Sequence, residues 1–137
     1  MLAGELAYRK GEFETAFSVL SEAAKREDAL AYSDPPPWMQ PVRHALGGLL
    51  LEQGHVGKAE RVFREDLGLA SGFPRRKAKL NNVWGLHGLH EALLKGGKSE
   101  EACMLKTQLD VAAACADIEL SVSCYCRLST AAKKGCC

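Results

Sequence analysis

Apolar residues recur along this chain with helical spacing, in pairs of stretches separated by a glycine. The stretch that follows Gly11 places its apolar residues on one helical face: Phe13, Ala16, Phe17, Leu20 and Ala23. Positions three or four apart share a face of an α-helix, so this stretch predicts an amphipathic helix. A second apolar stretch precedes the same glycine. The pattern therefore predicts helical hairpins and an all-α fold.

The hairpin pattern occurs three times. A glycine is followed five residues later by an alanine at 11–16, 54–59 and 97–102, and successive glycines are 43 residues apart. Glycine suits the positive φ that ends a helix, and a small alanine allows the second helix to pack closely against the first. We therefore expect three similar hairpins that stack in order.

This Gly-x-x-x-x-Ala turn, with large apolar residues on both helices, resembles the tetratricopeptide repeat. The resemblance covers residues 1–116, and Leu20 and Phe63 stand where that family has a large residue on its second helix. The usual period is about 34 residues, and the surplus here falls in the connections 28–41 and 70–82. HEAT or armadillo units also suit the spacing, but the turn motif favours the tetratricopeptide. The resemblance implies a helical-hairpin solenoid over 1–117 and an extended tail over 118–137.

The first unit is short, because only ten residues precede Gly11. The chain thus holds about two and a half repeats, fewer than the three or so that usually give a stable array. Several short sequence segments also resemble the C-terminal region of large tetratricopeptide proteins, namely residues 2–5, 27–30, 41–43 and 64–67. This resemblance implies that the chain is a piece of a longer protein, whose remainder would be a partner of this domain.

The amino-acid composition makes nucleic acid and membranes less expected as partners. Eighteen basic and seventeen acidic residues leave a formal net charge of +1, so no strong field favours nucleic acid or a membrane surface as a partner. The N-terminus lacks the features of a signal peptide, and a cytoplasmic location is the default expectation. In that setting we expect the six cysteines to be mostly thiols, with Cys103 and Cys115 as small core residues.

Two histidines occupy equivalent positions in adjacent units. His44 precedes Gly54 by ten residues, and His87 precedes Gly97 by ten. The tetratricopeptide resemblance implies that this position lines the concave groove of the solenoid. Helices pack about 8–10 Å apart, a separation that two facing side chains can bridge through one metal ion. His90 shares roughly the face of His87.

The tail supplies sulfur ligands for such a site. The segment 118–123 alternates apolar and polar residues as an extended strand does, and it leads to Cys124 and Cys126. Folded back along the groove, the two thiols would join His44, His87 and His90 in a mixed nitrogen and sulfur set that suits zinc or copper. The plainer alternative stays open: the histidines form ordinary hydrogen bonds and the cysteines are inert thiols.

Three hypotheses about function follow. The first is a binding scaffold whose groove, including Leu51, Trp84 and Glu91, receives a peptide, its own tail or another domain. The second is a zinc- or copper-binding C-terminal module of a larger redox metalloprotein. The third rests on Cys136 and Cys137, which resemble the double-cysteine terminus that is lipidated in Rab-type GTPases. No nucleophile and base stand at a useful spacing, so we do not expect an enzyme.

Overall fold

The computed structural model describes residues 1–31 and 39–127, and this part of the chain is all-helical, as the sequence predicts. Neither of these two ranges contains a β-strand. The α-helices are α1 Leu2–Arg9, α2 Phe13–Ala29, α3 Val42–Glu52, α4 Val56–Asp66, α5 Val83–Lys95 and α6 Ser99–Ala114. Two short 3₁₀ turns occur at Arg75–Lys77 and Tyr125–Arg127.

The helices form three consecutive hairpins, and each turn is built in the same way. Gly11, Gly54 and Gly97 have φ of +84°, +76° and +74°. The residue after each glycine donates its N–H to the carbonyl five residues earlier: Glu12 to Ala7, His55 to Leu50 and Lys98 to Leu93, at 2.9–3.0 Å. This hydrogen bond provides a donor to one of the carbonyls at the end of the first helix, where the regular helical pattern of hydrogen bonds stops. The predicted role of the turn glycines is confirmed.

The repeated alanines lie where the two helices of each hairpin approach. Ala16, Ala59 and Ala102 all have 0% exposure. A larger side chain at these positions would hold the second helix away from the first, because protein interiors are close-packed. The Gly-x-x-x-x-Ala phrase thus encodes both the turn and the close contact that follows it.

Phe63 of α4 is the centre of the core, with 0% exposure. Its ring fills the space left by two glycines on neighbouring helices. A β-carbon at Gly47 of α3 would lie 2.5 Å from Phe63 Cζ, and one at Gly88 of α5 would lie 2.3 Å from it. The second and third hairpins are therefore joined through one aromatic ring, and α3 of the second hairpin is buried from Val42 to Leu51.

Polar contacts join the first and second hairpins at the start of α3. The guanidinium of Arg43 donates two hydrogen bonds of 2.7 Å to Asp28 and also pairs with Glu65 at 3.4 Å. The N–H of Val42 donates to Glu27 Oε2 at 3.1 Å. Burial raises the pKa of Glu27, while this hydrogen bond opposes that effect.

Two expectations need correction. Residues 116–124 contain no strand, and the chain then turns at Tyr125–Arg127 instead of continuing as an extended tail. Cys103 and Cys115 are exposed rather than in the core, since α6 buries only Ala102 and Leu109. None of the helices in the described ranges is long and apolar enough to cross a membrane.

Candidate functional site: the tail on the first-helix face

The end of the described chain folds back onto the domain. We call residues 121–127 the tail segment, and the surface formed by α1, α3 and α5, the first helices of the three hairpins, the first-helix face. The tail segment contacts all three of these helices, as the contacts below show. Ser123 and Cys124 are only 1% and 2% exposed. The tail segment is therefore packed on this face and is not a free end.

Gly48 of α3 lies directly against the tail segment. A β-carbon at Gly48 would lie 3.2 Å from Ser123 Oγ, 3.3 Å from Cys124 Cβ and 3.2 Å from Arg127 Cδ. Glycine in the middle of a helix costs about 0.5–1 kcal/mol relative to alanine. The missing side chain at Gly48 leaves a shallow depression on α3, and the small tail residues Ser123 and Cys124 pack against it.

Arg127 joins the tail segment to α5 through Glu91. Its Nη1 and Nη2 donate to the Glu91 carboxylate at 2.7 and 3.0 Å, and both side chains are mostly buried. Burial raises the pKa of Glu91, but hydrogen bonds from Arg127 and Lys95 outweigh it and lower the pKa to about 2. A planar guanidinium that donates two parallel hydrogen bonds is a specific contact for a carboxylate.

Two further contacts hold the tail segment between the first and last hairpins. The ring of Tyr125 lies 5.0 Å from that of Trp84 on α5, at an interplanar angle of 59°. Arg9, directly at the end of α1, donates to the backbone carbonyl of Cys126. A cavity of about 470 Å³ opens beside the two rings, and its lining includes His44.

No protein family, curated protein or solved structure matches this chain.

The five predicted metal ligands do not come together as a metal site. Cys124 and Cys126 are joined to each other by a disulfide, which also corrects the expectation that these two are thiols. His44 is buried, and its Nε2 lies 2.8 Å from Asp66 Oδ2 on α4. Within 1–31 and 39–127, no group of three or more His, Cys, Asp or Glu residues is arranged to hold a metal ion.

His87 and His90 lie on the α5 side of the tail segment. Burial lowers the pKa of His87, the neighbouring Glu91 carboxylate raises it, and His90 and Arg127 lower it further. The Nδ1 of His87 is buried without a hydrogen-bond partner among the described residues. The equivalent histidines of the second and third hairpins thus differ in their surroundings: His44 pairs with Asp66, whereas His87 lies near an ion pair.

The predicted groove residues divide into two groups. Trp84 and Glu91 contact the tail segment directly. Leu51 does not line a groove: it belongs to the hydrophobic core and is 2% exposed, because α3 is covered on all sides. Cys136 and Cys137 lie outside the described residues.

Sequence reasoning missed Gly48, Arg127 and Arg9. For Gly48 a signal is present, because two adjacent glycines, Gly47 and Gly48, fall inside an otherwise strongly helical stretch. Such glycines indicate close approach of another group. Nothing in the local sequence distinguishes Arg127 from other basic residues of the tail, since its partner Glu91 is 36 positions away.

Proposed function

We propose that this chain is a tetratricopeptide-like scaffold that binds a peptide segment of another protein on the first-helix face, and that its own tail segment competes for this face. The observation that carries the proposal is the path of the tail segment. It contacts α1 through Arg9, α3 through Gly48 and α5 through Trp84 and Glu91. A surface that accommodates one short segment of chain has the shape and polar groups to accept a similar one.

Three features support a scaffold of tetratricopeptide type. The hairpins repeat with a period of 43 residues, their turns share one hydrogen-bond pattern, and consecutive hairpins pack through α2 with α3 and α4 with α5. Stacked helical hairpins of this kind form extended binding surfaces. In this proposal affinity comes from a few anchor contacts, and the histidines have structural roles.

The test uses the full chain with two substitutions that weaken the tail contacts, Tyr125→Ala and Arg127→Ala, which we call the tail-weakened variant. Peptides from a random display library are selected on this variant. We expect them to bind it at least about tenfold more tightly than the unaltered chain, a difference of ~1.4 kcal/mol. The unaltered chain binds more weakly because its tail segment is present at high effective concentration.

The matched control adds Gly48→Gln to the tail-weakened variant. The three atoms nearest to a β-carbon at Gly48 all belong to the tail segment. We therefore expect the glutamine side chain to occupy the volume of the tail segment and not to collide with another helix. We expect selected peptides to lose binding to this form. Trp84→Ala is a second blocked variant in case Gly48→Gln does not fold. Selected peptides that bind all forms equally, or a selection that yields none, would contradict the proposed function.

A further inference from the structure

The contacts of the tail segment divide into three subsites with different chemistry. Small residues, Ser123 and Cys124, lie over Gly48. An aromatic ring, Tyr125, lies against Trp84, and a guanidinium, Arg127, pairs with Glu91. Each subsite limits what a competing segment can place there, so together they specify the chemistry of a partner.

The Glu91 subsite selects arginine. Its carboxylate has both oxygens in hydrogen bonds to Arg127, at 2.7 and 3.0 Å. The charge of Glu52 acts on Arg127 in the same direction as that of Glu91, which makes this part of the face complementary to a cation. Lysine carries one compact ammonium and cannot present two separate nitrogens in a plane to the two carboxylate oxygens, as Arg127 does.

The Trp84 subsite selects an aromatic ring two positions before the arginine. The Tyr125 ring contacts Trp84, yet Tyr125 as a whole is 56% exposed. The cavity of about 470 Å³ beside Tyr125 leaves room for a ring at least as large as that of tyrosine. Aromatic pairs of this geometry stabilise a complex beyond the effect of the area that they bury.

The Gly48 subsite excludes large residues directly before the aromatic one. Tail atoms lie only 3.2–3.3 Å from where a β-carbon of Gly48 would stand, and Ser123 and Cys124 are almost fully buried against this surface. Because Ser123 and Cys124 are already almost fully buried, a branched or long side chain at the position of Cys124 would force the surrounding residues to shift. Small residues therefore fit here best.

We propose that the partner segment has the pattern small, small, aromatic, small, arginine, the fourth position being that of Cys126, which packs partly buried against the core, and that it displaces the tail segment by placing its own arginine on Glu91. This inference rests on the proposed peptide-binding function and adds the identity of the ligand class. The pattern is that of Ser123-Cys124-Tyr125-Cys126-Arg127 itself, so the chain carries an internal copy of the ligand.

The experiment measures fluorescence anisotropy of a labelled synthetic peptide that copies residues 118–127, with both cysteines replaced by serine, on the tail-weakened variant. We expect saturable binding. Replacing the arginine by lysine, or the tyrosine by alanine, should each weaken binding at least about tenfold, since the first loses the two-nitrogen contact with Glu91 and the second loses the ring contact with Trp84. Parent-like affinity for both altered peptides would overturn the pattern.

A charge exchange tests the arginine subsite directly. The peptide with Arg127→Glu should not bind the tail-weakened variant but should bind when that variant also carries Glu91→Arg. If Glu91→Arg prevents folding, Glu91→Gln replaces it, and the arginine and lysine peptides should then bind this form equally. No recovery in the first case, or a retained preference for arginine in the second, would contradict the assignment of Glu91.

The two proposals fail in different ways. Library peptides that bind the tail-weakened variant, lose binding on Gly48→Gln and lack the pattern would overturn the ligand class but leave the peptide-binding function intact. If neither library peptides nor the copied segment bind in a Gly48-dependent manner, both proposals are wrong.

Discussion

Gly48 lies directly beneath Cys124: a β-carbon on Gly48 would stand 3.3 Å from the β-carbon of Cys124. This distance is tighter than ordinary van der Waals contact. The missing side chain at Gly48 therefore leaves room for Cys124, which lies 76 positions later in the chain.

We predict that Gly48→Gln displaces the tail segment while leaving the hairpins folded. The glutamine side chain would occupy the volume that Ser123, Cys124 and Arg127 now fill. Proton NMR should show loss of the contact between the rings of Trp84 and Tyr125, and amide hydrogen exchange of residues 123–127 should accelerate. Helical circular dichroism should stay close to that of the unaltered chain.

The control for this substitution is Gly57→Ala in α4. A β-carbon at Gly57 would meet nothing within 4 Å, so the change should leave the tail segment in place. It should stabilise the protein by up to about 0.5–1 kcal/mol through helix propensity. Persistence of the Trp84 and Tyr125 contact in Gly48→Gln would show that the tail segment does not depend on Gly48.

A second prediction concerns the pKa of Glu91, which Arg127 and Lys95 hold at about 2. Arg127→Ala removes the larger of these two stabilising hydrogen bonds to the carboxylate. We expect the pKa of Glu91 to rise by about 1–2 units, the usual effect of losing an adjacent arginine. NMR titration of the side-chain carboxyl carbon measures it, and an unchanged pKa would show that the ion pair does not form in solution.

The same shift determines how tail docking depends on pH. The pKa of Glu91 is depressed from 4.5 to about 2, so the ionised carboxylate favours the docked state. Lys95 still lowers the pKa of Glu91 in the undocked state, so this contribution is fully present above that undocked pKa and is lost as the pH falls through about 2. Arg26→Ala, which breaks the exposed pair with Glu22, is the control and should not alter this dependence.

The hairpins were predictable from sequence because their determinants are local. Gly54 and Ala59 lie five residues apart, and the positive φ of one and the burial of the other follow from steric properties of these residues alone. The tail contacts were not predictable in the same way. Arg127 pairs with a residue in the preceding hairpin, and a Cys-x-Cys spacing suits an extended strand as well as a turn that brings Cys124 and Cys126 together.

The core interface between the second and third hairpins gives a third prediction. A β-carbon at Gly88 would lie 2.3 Å from the ring of Phe63, so Gly88→Ala should destabilise the protein by about 1–3 kcal/mol through overpacking. Phe63→Ala should cost about 3–5 kcal/mol because it leaves a cavity. Urea unfolding measures both changes.

The effects of substitutions at Gly88 and at Phe63 should not be additive when the new residue at position 63 is smaller than phenylalanine but still fills part of the site. In Gly88→Ala with Phe63→Leu, the smaller side chain leaves room for the new methyl group, so the double variant should be more stable than the sum of the single effects predicts. Additive losses would mean that Gly88 and Phe63 do not share one packing site.

The last prediction tests the hairpin turns, where Gly54 has φ of +76°. A β-carbon there meets nothing within 4 Å, so any cost of Gly54→Ala comes from the backbone conformation and not from a collision. We expect a loss of about 1–2 kcal/mol, the cost of placing an L-residue in the left-handed region. Gly54→Asn should lose less, because asparagine tolerates this region better than alanine does. Gly57→Ala in the same hairpin should raise the free energy of unfolding, because alanine has the higher helix propensity and Gly57 does not have a positive φ. If Gly54→Ala and Gly57→Ala changed the free energy of unfolding alike, the assignment of a positive φ to Gly54 would be wrong. The hydrogen-bond pattern that the three hairpin turns share would then be wrong as well.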